Sequence, residues 1–248
     1  MTRALKATVI LLCLNLATAI TSFSQGDNYE AITDSIAAKV KRITGHTCYI
    51  SGTDIDRQII EDHETALKDP YFEERIKDPY HTLAGCFIFL ASDAENSDSS
   101  MPGFVGIYNI KLDSVLWRSV PLSSDFSSGA LGSMDATGEL NRDGKVEIIV
   151  GQATGNLGVN HQLWIFNWDG KDGKLITQLD SLGRSEIMYW GDEYEIKDVD
   201  GDGIYEILGE WYKNYDSDKM TTIMYSWNGS LYGKWGKSSR YSLKEKKK

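Results

Sequence analysis

Apolar residues recur at steps of three or four near the start of the chain, at Tyr29, Ile32, Ile36, Val40 and Ile43, and this spacing predicts an amphipathic helix. Asp27 or Asn28 stands where a cap belongs, and Gly45 where the helix should stop. From Asp54 to Lys77 the pattern gives way to a heavily charged stretch anchored by Ile55, Ile59, Ile60 and Leu67, with Pro70 and Pro79 as interruptions. It reads either as a helix and loop packed on the edge of the strand region or as an insertion. After about residue 80 the period becomes two, that of strands.

The strand region repeats. DGKVEIIVG at 143–151 returns as DGIYEILG at 202–209, and LWIFNWDG at 163–170 returns as TIMYSWNG at 222–229, each displaced by 59 positions. An earlier copy has VGIYNIKL at 105–112 and GCFIFLA at 85–91, so it keeps the strands and lacks the acidic phrase. Asp169-Gly170 and Asn228-Gly229 between apolar alternations are hairpin signals. Each unit therefore predicts a small antiparallel sheet, and repeats of this length bury their faces by stacking. The predicted class is mostly β, with repeated four-stranded blade-like sheets, propeller-like or a partial propeller, after a short helical segment. The expected boundaries are 26–79 for the helical and charged segment and about 80–132, 133–190 and 191–240 for the three units. A basic tail occupies 241–248. Three units fall short of a usual ring, so the segment before 80 supplies a degenerate fourth, the units pack as an open arc or sandwich, or chains associate to close it.

The repeated acidic turn carries the candidate chemistry. Asp198, Asp200 and Asp202 alternate with glycines between them, and Glu206 stands at the ninth position. In a tight turn, side chains at positions 1, 3 and 5 converge, the Ile204 carbonyl adds an oxygen, and Glu206 closes from the next strand. A hard cation accepting many oxygens suits this set, and calcium fits better than magnesium, which demands stricter octahedral geometry. The turn is not an EF-hand, because Gly209 stands where a bidentate Glu is needed. The earlier copy offers Glu139, Asn141, Asp143, the Lys145 carbonyl and Glu147, with an amide in place of one carboxylate, and predicts a weaker second site. Asp135 and Thr137 offer a rival register.

Composition narrows the context. A net charge of −10 argues against a nucleic-acid partner, whose phosphates require clustered cations. Arg3 and Lys6 precede an uncharged apolar run, Ala7 to Ala19, that ends in small and polar residues, the layout of a secretory signal peptide over 1–25. That run is too short for a comfortable membrane span and no later run is longer, so the expectation is a secreted or periplasmic chain without a transmembrane helix. Cys48 and Cys86 then remain in an oxidising compartment, either bonded or reduced.

The phrases DVDGDGIYEILG at 198–209, NRDGKVEIIVG at 141–151 and LWIFNWDG resemble the FG-GAP or VCBS-type repeats of integrin alpha-subunit propellers and bacterial secreted relatives. The resemblance covers roughly residues 85–235 and implies calcium-binding turns on propeller blades. By position it assigns metal roles to Asp198, Asp200, Asp202, Ile204 and Glu206, and to Glu139, Asn141, Asp143, Lys145 and Glu147. The chain departs from the family in having Glu at the ninth position, an earliest copy without the loop, and fewer units than a ring.

Trp164, Trp168, Trp211 and Trp227 are candidates for a sugar-stacking face, but Trp164 and Trp168 share one side of a strand and Trp168 and Trp227 occupy equivalent repeat positions, which favours packing between sheets. No Gly-x-Ser-x-Gly, His-Glu-x-x-His or phosphate-binding glycine loop occurs, and His161 stands alone in what reads as a connection. The sequence points to a secreted calcium-binding β-repeat protein with a structural or ligand-binding role toward a protein or glycan, without catalysis. The alternative is a small extracellular hydrolase or carbohydrate-active protein in which calcium is structural.

Overall fold

The computed structural model describes residues 25–51, 78–93, 103–122, 133–154, 160–190, 194–212 and 220–234. The signal-peptide segment through residue 24, the charged stretch 54–77 and the basic tail 241–248 lie outside the described residues.

Helix α1 spans Gln25–Thr44. It starts ahead of the expected cap, so Asp27 and Asn28 fall inside its first turn. Its end is where the sequence places it: Gly45 takes φ 80°, and its N–H returns to the Lys41 carbonyl at 2.9 Å. Ile32, Ile36 and Val40 are buried, whereas Ile43, at the end of the same stripe, is 52% exposed.

The remaining elements form three antiparallel sheets, each a meander in which sequence neighbours pair. The first contains β1 (Cys48–Ser51), β2 (Cys86–Asp93), β3 (Phe104–Asn109) and β4 (Ser114–Arg118). The second contains β5 (Ser133–Gly138), β6 (Val146–Thr154), β7 (Asn160–Trp168) and β8 (Gly173–Leu175), and β9 (Met188–Trp190) also pairs with β7. The third contains β10 (Tyr194–Lys197), β11 (Glu206–Tyr212), β12 (Met220–Trp227) and β13 (Tyr232–Gly233). The mostly β class with repeated four-stranded sheets after one helix is what the alternation predicted. The first sheet takes its outer strand from residues 48–51, ahead of the position-80 boundary. The charged stretch thus falls inside the connection from β1 to β2, where the other two sheets have their acidic turns.

Period-two alternation sorts side chains between neighbours. Phe87, Phe89, Phe104 and Tyr108 face α1 and pack with Ile32, Ile36 and Val40. From the other side of the first sheet, Ile88, Leu90, Val105 and Ile107 meet Ile148, Val150, Trp164, Phe166 and Trp168 of the second. The second sheet's far side, with Ile149, Leu163 and Ile165, meets Ile207, Tyr225 and Tyr232 of the third. The order is therefore helix, first sheet, second sheet, third sheet. Among the described residues no apolar cluster joins the third sheet to the first or to α1, so these elements form an open row. No helix among them is long and apolar enough to cross a membrane.

Cys48 faces α1 and Cys86 faces the second sheet, so the two buried thiols lie on opposite sides of the first sheet and are not joined by a disulfide. Trp164 and Trp168 are fully buried against the first sheet, and Trp227 packs at the equivalent place against the second, 5.2 Å from the Tyr232 ring. Trp211 meets Trp190 edge-on at 6.1 Å. His161 lies within β7 rather than in a connection, its ring stacked on Tyr189 at 4.8 Å.

Candidate metal centre

Each acidic turn links the first strand of a sheet to the second, and the two turns touch. The Tyr205 N–H donates to the Leu140 carbonyl at 2.8 Å, and Arg142 Nη1 donates to the Asp202 carbonyl at 2.8 Å.

The later turn is shaped by its own carboxylates. Asp198 accepts the N–H of Gly201 at 2.7 Å and of Gly203 at 2.9 Å. Asp202 accepts the N–H of Ile204 at 2.8 Å. Gly201 and Gly203 take φ 78° and 80°, a left-handed conformation that side chains resist, which is why the motif places glycine there. Glu206 begins β11, is buried, and accepts the Val199 N–H at 2.9 Å. These constraints bring one carboxylate oxygen each from Asp198, Asp200 and Glu206 within 4.8 Å of one another. Asp202 stands outside that group.

Unit negative charges at such a separation repel by roughly 3–4 kcal/mol per pair at an effective dielectric near 20. Burial first, and then the charges of Asp200, Asp202 and Asp198, raise the Glu206 carboxyl above its ordinary range. A divalent cation removes this repulsion, and carboxylate oxygens are the donors that a hard cation takes. The residues of this turn fit such an ion.

The earlier turn repeats the backbone pattern with different side-chain partners. Glu139, in the place of Asp198, accepts the N–H groups of Asp143 and Gly144, both at 3.1 Å, and the Tyr80 hydroxyl. The Asn141 oxygen accepts the Asp143 N–H at 3.0 Å, and Asp143 in turn accepts the Lys145 N–H at 3.1 Å. Glu147, fully buried, accepts the Leu140 N–H at 2.7 Å, as Glu206 does from Val199. Its carboxyl is pushed up to about 8, by burial first and then by Asp143 and Glu139. Asn167, opposite Glu147 on β7, donates from Nδ2 to Asp143 at 2.6 Å and to Glu147 at 2.9 Å. Among the described residues Glu139, Asp143 and Glu147 do not converge as Asp198, Asp200 and Glu206 do.

The rival register does not form a turn. Asp135 and Thr137 belong to β5, where the Asp135 carboxylate lies over Gly151 and Thr137 is buried. Asn167, Tyr80 and Arg142 are the residues that sequence spacing missed. Asn167 sits inside the repeated LWIFNWDG phrase, but its place opposite Glu147 becomes visible only once β6 and β7 are in register.

Comparison of the chain with protein-family models, with curated proteins and with solved structures gives no match.

Proposed function

We propose that this is a secreted calcium-binding β-repeat protein, with blade-like units of the FG-GAP or VCBS type, whose ion is structural and whose role is binding or scaffolding rather than catalysis. The observation that carries the reading is the convergence of Asp198, Asp200 and Glu206 on a turn held open by its own N–H groups. When bound, the ion supplies charge neutralisation. Asp198, Asp200 and Glu206 hold it, and through Glu206 it secures the start of β11. The apolar run near the N-terminus with basic residues before it favours export, and extracellular calcium is abundant enough for a site of modest affinity.

Calorimetric titration of calcium into the chain, with melting followed in calcium and in chelator, tests this. Affinity of about 10⁻⁴–10⁻³ M or tighter is expected. At 100 times the dissociation constant the ion adds about 2.7 kcal/mol, a rise in melting temperature of roughly 5–10 °C. Asp200→Ala should abolish both. Absence of binding heat together with superimposable melting curves would reduce the turn to an acidic hairpin.

A further inference from the structure

The two turns share a backbone pattern and differ in what stands across the strand from the ninth-position glutamate. In the second sheet it is Asn167, whose single amide nitrogen bridges Asp143 and Glu147 at 2.6 and 2.9 Å. In the third sheet the pairing Ile207 to Tyr225 places Ser226 opposite Glu206, and among the described residues Ser226 makes no such bridge. A hydroxymethyl group is shorter than a carboxamide and carries one donor where the amide carries two.

We infer that the earlier turn takes no ion, because the Asn167 amide already occupies Glu147, the counterpart of Glu206, and ties it to Asp143, and that the residue at this cross-strand position decides which turn binds. One further contact points the same way. Glu139, counterpart of Asp198, carries the Tyr80 hydroxyl beyond its two backbone donors. An entering ion would have to break the Asn167 bridge, whereas at Ser226 it displaces no side-chain donor. Ion dependence is then confined to the third sheet, and the second is held by protein donors alone. This rests on the proposed ion site at Asp198, Asp200 and Glu206.

The test is calcium stoichiometry in the full chain and in two exchanges, Asn167→Ser and Ser226→Asn, with melting curves to verify folding. The wild type is expected to take up one ion per chain. Asn167→Ser should take up two, and Ser226→Asn should weaken the single site by about 10- to 100-fold, the range found when groups that orient metal ligands are changed. Two ions in the wild type would overturn the inference and leave the proposed function standing. So would unchanged affinity in Ser226→Asn, or a single ion in a folded Asn167→Ser chain. No ion in the wild type would remove the proposed function and this inference together.

Discussion

At the scale of single residues, the contacts between sheets depend on small side chains at defined places. Gly209 of β11 lies under Tyr189, and a methyl group there would stand 2.6 Å from the Tyr189 Cβ, an atom fixed to the backbone of β9. Gly209→Ala should therefore push β9 and β11 apart and cost about 1–3 kcal/mol, read from the denaturant midpoint. A midpoint unchanged within error would show that the two strands move apart at no cost. The site was partly legible at this scale. The alternation of Asp198, Asp200 and Asp202 with glycines, with Glu206 beyond them, can be read from spacing because turn geometry is local in sequence. The difference between the two turns was not legible, because it depends on Asn167 and Ser226, which stand opposite the two glutamates across a strand pair rather than near them along the chain.

At the scale of elements, α1 is held to the first sheet by more than its apolar stripe. Asp113, in the turn between β3 and β4, accepts bonds from Lys39 Nζ at 2.7 Å, from the Ser35 hydroxyl at 2.9 Å and from the Tyr108 hydroxyl. The Lys39 bond first, then Tyr108 and Ser35, hold the Asp113 carboxyl well below the usual carboxylate range. A carboxyl lowered in the folded state stabilises it above the unfolded pKa and loses that contribution as pH falls. The latch should therefore be intact at neutral pH and weaken below about pH 4. Asp113→Asn lacks it throughout, so its melting temperature should lie below wild type at pH 6 and approach it at pH 2. A difference of the same size at both pH values would assign the loss to something other than ionisation. The helix itself was legible from Tyr29, Ile32, Ile36 and Val40, since burial follows the period. Its start and the exposure of Ile43 were not, because the period marks which face is apolar and not how far along the helix that face is covered.

At the scale of the molecule, alternation and the 59-residue displacement foretold three stacked sheets, because a repeated period-two pattern has two apolar faces to bury. They could not foretell that β1 would come from 48–51, since a four-residue strand has too few alternations to register. That strand sets the order in which the chain can assemble. Within the second and third sheets the first two strands are separated by short turns, 139–145 and 198–205, whereas β1 must wait for β2 across residues 52–85. Each doubling of a loop costs about 0.6 kcal/mol in closure entropy, and the longer connection is a little over two doublings away, on the order of a tenfold delay. Pulse-labelling exchange during refolding should find the β6–β7 amides protected first and those of Cys48–Ser51 last; simultaneous protection would contradict this. Until β1 and α1 arrive, Phe87, Phe89 and Phe104 have no cover. The vulnerable moment for this protein is thus late in refolding, when two sheets are complete and the aromatic side of the other still faces water.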